Sequence, residues 1–353
     1  MSKSPHERIG KAITVRGPVE PEALGAVMMH EHLHSDWAQT SEIPFDMAKW
    51  PVVEKCVVPA LKRLKDHGCF CILDMTRSPE RAAPWVYQRI SEMADFHIVL
   101  ATGFYREIEL GKYWAREPDD QIWPFVHEAS VEELTEFCVQ EALTGLHGTD
   151  VRAGVLKIGT SSKDLTEAEA KAAVAVARAQ RQTGLLINTH ANTPGAFKTQ
   201  LELLESEGVD PTRVVLGHTQ GQMVQEWPEV RKCMQRGATF AMTNLRMDVS
   251  EAIRQSWADA IVRAFDEGLG AHVTLGLDWG FTVGYYEFMG NPAWRPHQGD
   301  TTMLTPCTFM PPPAYSYLFE YTLPRFREMG VTDDMIRTML VENPQRVIPV
   351  REP

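Results

Sequence analysis

Ala26-Val27-Met28-Met29-His30-Glu31-His32-Leu33-His34 is the stretch from which the rest of the chain can be read. The apolar run 26–29, bounded by Gly25, is too short for a helix and reads as a buried strand. Side chains alternate along a strand, so His30 and His32 share one face and Glu31 takes the other. Two imidazoles on one face at a strand end can hold a metal ion, or can be polar residues satisfied by hydrogen bonds. The choice depends on where similar residues recur.

Apolar runs of strand length sit at 26–29, 69–74, 96–101, 154–158, 185–189, 214–217, 238–242 and 272–277. Between them lie segments with helical spacing, among them Val53–Lys65, Leu165–Gln182 and Arg254–Glu267. Residues 11–21, containing Gly17-Pro18, predict a short hairpin ahead of the first core strand. Eight strands alternating with helices, most of them apolar on both faces, predict an α/β fold: a (β/α)8 TIM barrel forming one domain over 1–353. An open doubly wound sheet is the alternative, but no glycine-rich phosphate loop follows the first strand. Two connections are long, from Gly103 to about Ser130 after strand three and from Trp279 to about Pro313 after strand eight. Both are rich in aromatics and would lie on the active-site face of a barrel.

The formal charge of −12 and the lack of a basic stripe exclude a nucleic-acid partner. No run reaches membrane-spanning length, and the first residues lack the apolar core of a secretory signal. Six cysteines are scattered without a C-x-x-C pair, and Cys69 and Cys71 read as buried thiols. A cytoplasmic protein with a small-molecule substrate fits this balance.

Polar residues gather at the strand ends. The first strand ends in His30 and His32, the fourth holds Lys157, the fifth ends in His190, the sixth in His218 and the eighth in Asp278. In a barrel all would meet at one rim. Neutral imidazoles and a carboxylate are ligands for a divalent transition metal. Lys157 is the odd member: burial beside cations would lower its pKa, and a neutral amine can take up carbon dioxide as a carbamate. Its alternative is an ion pair with an acid such as Asp74.

MHEHLHSD, VLKIGTSS, INTHANTP, VVLGHTQ and LGLDWGF, in this order, resemble the phosphotriesterase family of the amidohydrolase superfamily. The resemblance runs from the hairpin near Gly17-Pro18 to Glu342-Asn343-Pro344. It implies two divalent metals, zinc foremost with Mn, Co or Fe also suited, bridged by N6-carboxylysine at Lys157 and by a hydroxide. His30, His32 and Asp278 would bind the buried metal, and His190 and His218 the exposed one. Asp278 would move the proton from the hydroxide to the leaving group. The family also implies a homodimer. His34 has no place in this pattern and reads as the start of the loop, a pocket or supporting residue.

Ala101-Thr102-Gly103-Phe104-Tyr105 is similar to the lactonase-like members, which makes Tyr105 a candidate for orienting a substrate carbonyl; its alternative is a packed loop tyrosine. Arg246, Trp279 and Phe281 are the other candidate pocket residues. Two departures stand out. Gly221 occupies the position where organophosphate members carry an acid, and Met242-Thr243-Asn244-Leu245-Arg246 leaves Asn244 or Arg246 as the substrate-contacting residue after strand seven. The leading function is hydrolysis of a lactone or carboxylic ester, with phosphotriesterase activity as a side reaction. The alternative is an amidase for an N-acyl amino compound. A binding protein without turnover is disfavoured by the completeness of the ligand set.

Overall fold

The computed structural model describes residues 5–36, 50–76, 83–107, 123–245, 249–283, 304–306 and 314–353. Strands β1 (Ala12–Thr14) and β2 (Gly17–Val19) pair antiparallel, with Thr14 opposite Gly17, as the predicted hairpin. Val15 N donates to Ile98 O at 2.9 Å, which seats the hairpin at the start of the third barrel strand.

The barrel strands follow in order: β3 (Ala26–Asp36), β4 (Cys69–Asp74), β5 (His97–Gly103), β6 (Val155–Gly159), β7 (Leu186–His190), β8 (Val214–Gly217) and β9 (Thr239–Met242). Each pairs in parallel with the next. The eighth strand is split. β10 (Val273–Leu275) lies along β9, and β11 (Gly280–Val283) lies along β3. Between them Asp278 N donates to His30 O at 3.0 Å and His32 N to Trp279 O at 2.8 Å, so the sheet closes through this crossing. β12 (Leu304–Pro306), which the sequence did not suggest, adds antiparallel to β11.

The alternation of each strand divides the core in two. Val27, Met29, Cys71, Leu73, Val99, Ala101, Val155, Leu186, Val215 and Ala241 fill the barrel interior together with Leu24 and Ile348. Their neighbours Met28, Ile72, Ile98, Leu100, Leu156, Ile187, Leu216 and Phe240 pack outward into the helical layer. Burial of both faces is why these runs are apolar throughout. The helices fall close to their predicted spans, at Trp50–Lys65, Glu167–Thr183 and Glu251–Asp266. Thr166 and Glu169 close a capping box on the second, and Ser250 caps the third.

Two expectations change. β3 does not end at His30 and His32 but runs on to Asp36, because β11 supplies it with a second parallel neighbour out to Val283. His34 is therefore within the strand rather than at the start of a loop. Of the long connections, residues 108–122, 284–303 and 307–313 lie outside the described residues, as does Arg246; the side chains of His34 and Phe281 do too. Among the described residues, no helix is long and apolar enough to cross a membrane.

Candidate metal centre

Alternation from Val27 and Met29 would point Glu31 into the barrel and His30 out of it. The strand corrects this with a bulge. Met28 is opposite Ile72 and Glu31 is opposite Asp74, so β3 spends one more residue than β4 over this interval. Past the bulge His30 and His32 face inward and Glu31 faces out. The freed carbonyl of Met29 is taken across the interior by Asn188 Nδ2 at 3.0 Å. Lys157 and His190 need no such device, being in phase with the interior residues Val155 and Leu186.

His218 and Asp278 reach the site by a different route. Both are non-glycine residues in the left-handed region, with φ of 61° and 54°. His218 follows the last strand residue and would point outward with Leu216; its φ turns it back over the barrel. Gly217 clears the space, since a Cβ there would come within 2.3 Å of Thr189 O and 3.3 Å of His30 Nδ1. Strain of this kind clusters at functional sites.

The six strand-end residues converge. Asp278 Oδ1 is 3.2 Å from His32 Nε2 and 3.7 Å from His30 Nε2, and Asp278 Oδ2 is 3.8 Å from His218 Nδ1. The His190 and His218 ring centroids are 4.0 Å apart, and those of His30 and His218 are 4.5 Å apart. Lys157 Nζ is 3.2 Å from His30 Nε2, and this lysine is 1% exposed. It does not pair with Asp74, whose oxygens accept from Leu33 N at 2.7 Å and Thr76 N at 2.8 Å.

The donor set fits a divalent transition metal. One ligand atom from each of His30, His32 and Asp278 lies within 4.8 Å of the others. Burial holds the His30 imidazole well below its ordinary pKa, reinforced by Lys157 and His218. Burial likewise lowers His218 to about 3, with Asp278 opposing and Lys157 assisting. Both rings are thus neutral at physiological pH, the form that coordinates a metal. Hydroxyls orient two of the rings: Thr76 Oγ1 stands 2.7 Å from His32 Nδ1, and Thr243 Oγ1 2.8 Å from His218 Nδ1. Among the described residues, His218 Nε2 is left buried without a hydrogen-bond partner, as a ligand nitrogen awaiting a cation would be.

Around the centre, the Tyr105 hydroxyl lies 3.3 Å from His190 Nδ1 with its ring edge-on to the imidazole. Asn244 Nδ2 is 3.3 Å from His218 Nδ1, so of the two candidates after strand seven it is the one within the described residues. A cleft of about 510 Å³ opens beside His218 and Asn244, with Gln220, Gly221 and Trp257 among its walls. Trp279 is fully buried and packs edge-on against Tyr315, at 4.8 Å between centroids, as part of the core outside the barrel. Nothing in the sequence marks Thr76, Thr243 and Asn188, because threonine and asparagine near a strand end carry no distinctive spacing.

A profile of the phosphotriesterase family matches residues 10–348. The chain is 28% identical over 341 residues to a phosphotriesterase homology protein of Mycobacterium tuberculosis, covering 95% of this chain and 96% of that one. It is 20% identical to an N-acetyltaurine hydrolase of Dictyostelium discoideum, covering 98% and 99%. Among solved structures, a triple mutant of an organophosphorus hydrolase from Deinococcus radiodurans superposes with a TM-score of 0.74 at 26% identity, covering 96% and 97%. With the barrel, the converging histidines and this match across nearly the whole length, the chain belongs to the phosphotriesterase family of binuclear metal-dependent hydrolases.

Proposed function

We propose that this enzyme hydrolyses a lactone or simple carboxylic ester, with phosphotriester hydrolysis as a weaker side reaction. His30, His32 and Asp278 would hold one divalent ion, His190 and His218 a second, and Lys157, carboxylated on Nζ, would bridge them. When bound, the ions supply the Lewis acidity that ionises water and polarises the scissile carbonyl. The chain's own residues do the rest. Asp278 takes the proton released by the attacking water and returns it to the leaving alkoxide. Its 3.2 Å approach to His32 holds the carboxylate toward the centre rather than toward solvent. Tyr105 donates a hydrogen bond from its hydroxyl to the substrate and sets the carbonyl's angle of entry. The cleft beside His218 and Asn244 receives one arm of the substrate. We further propose a cytoplasmic homodimer.

The observation that carries this reading is the Tyr105 hydroxyl 3.3 Å from His190 Nδ1, a hydrogen-bonding group beside the centre within reach of a substrate carbonyl. A second reading, hydrolysis of an N-acyl amino compound, is favoured by the relative named N-acetyltaurine hydrolase. Parallel assays of zinc-loaded protein on γ- and δ-lactones, aryl esters, N-acyl amines and a phosphotriester separate the two. Lactone or ester turnover that falls in Tyr105→Phe supports the first; turnover of N-acyl amines alone replaces it with the second.

A further inference from the structure

The eighth strand leaves β9 after Leu275 and joins β3 only at Gly280. In the gap three consecutive backbone N–H groups turn toward β3. That of Asp278 finds the His30 carbonyl at 3.0 Å. The other two are taken by one side chain: Glu31 Oε1 accepts from Leu277 N at 2.6 Å, and Glu31 Oε2 from Trp279 N at 2.9 Å. Glu31 is fully buried. A Cβ on Gly276 would come within 3.2 Å of Glu31 Oε1, so the chain passes the carboxylate closely. The residue held between the two clamped amides is Asp278, with its left-handed φ of 54°.

We propose that Glu31 is a positioning residue, a two-pronged clamp that fixes Asp278 through the peptide groups on either side of it. The inference rests on the reading of Asp278 as a metal ligand. An apolar residue at 31 would leave two buried N–H groups unpaired, a cost that would be relieved by letting the strained segment relax. A carboxylate can accept on both oxygens at once, whereas a carboxamide offers one acceptor and one donor. Glu31 therefore couples the first strand to the eighth: the residue between the two histidines sets the carboxylate that meets them.

The near-isosteric Glu31→Gln tests this. Zinc-loaded wild type, E31Q, E31D, D278N and the E31Q/D278N double variant are titrated with a competing chelator, and zinc release is followed directly. E31Q is expected to lose zinc about 10- to 100-fold more readily than wild type, the loss typical of an outer-sphere partner. In the D278N background the same change is expected to have less than about a twofold effect, because the residue it positions no longer coordinates. E31D, which keeps both acceptor oxygens, is expected to retain zinc better than E31Q. Equal effects of E31Q in both backgrounds, or a lowered melting temperature with unchanged zinc release, would overturn the clamp. A wild-type protein that holds no zinc overturns the metal-centre reading itself, and the clamp with it; normal wild-type binding with an unaffected E31Q overturns the clamp alone.

Discussion

Thr243 presents its hydroxyl 2.8 Å from Nδ1 of His218. The ring is buried and neutral, and in the tautomer whose Nδ1–H donates to this hydroxyl, Nε2 keeps its lone pair as the ligand atom. Thr243→Val keeps the shape and removes the partner. It should weaken metal affinity about 10- to 100-fold, while Thr243→Ser restores most of it. Chelator competition on the two variants checks this, and equal loss in both would show that only packing is at stake.

Lys157 is buried with its amine beside His30. Lys157→Ala should lose bound metal and most of its turnover. Short-chain carboxylates such as acetate or propionate should restore part of both, by occupying the space of the missing bridge. Metal content and ester turnover with and without added carboxylate provide the test; a fully active variant would remove the bridging role.

Asp278 contacts His30, His32 and His218, and in the proposed reaction it moves the proton. Asp278→Asn should lower kcat about 10²- to 10⁴-fold, the range for loss of a general acid–base group, with little change in KM. Steady-state kinetics at saturating metal separate this from a loss of substrate affinity. An unchanged kcat would reassign proton transfer elsewhere.

The depressed pKa of His218 makes a prediction for the metal-free protein. Its folded value is about 3 and its unfolded value about 6.5, so between these limits the unfolded chain binds a proton that the folded chain refuses. The stability associated with the neutral ring is present above pH 6.5 and is lost as the pH falls toward 3. Relative to His218→Asn, the wild-type protein should lose about 1.4 kcal/mol per pH unit across that window. Denaturant melts of both chelated proteins at pH 7.5 and 5.5 read the difference; a wild-type stability that holds or rises relative to the variant on acidification would contradict it.

The barrel was legible because burial on both faces leaves a simple mark: runs such as 69–74 and 214–217 are apolar at every position and recur between helices. The strand-end histidines were legible for the same reason, as polar breaks at the ends of apolar runs. What alternation could not convey is the phase of each residue. Glu31 and His30 exchange faces at a bulge that depends on β4 across the ladder, and His218 is turned inward by a left-handed residue rather than by strand parity. Trp279 packs edge-on against Tyr315, a contact between distant parts of the chain that no local pattern conveys. The supporting threonines were hidden too, since a hydroxyl that orients an imidazole leaves no periodic trace.

Anomalous diffraction from crystals of the zinc-loaded protein locates the cations that the six strand-end residues would hold. Two anomalous peaks are predicted at the barrel mouth, one bounded by His30, His32 and Asp278 and the other by His190 and His218, with carbamate density on Lys157 Nζ between them. No peak at these residues, or an unmodified Lys157 with metal bound elsewhere, would contradict the account.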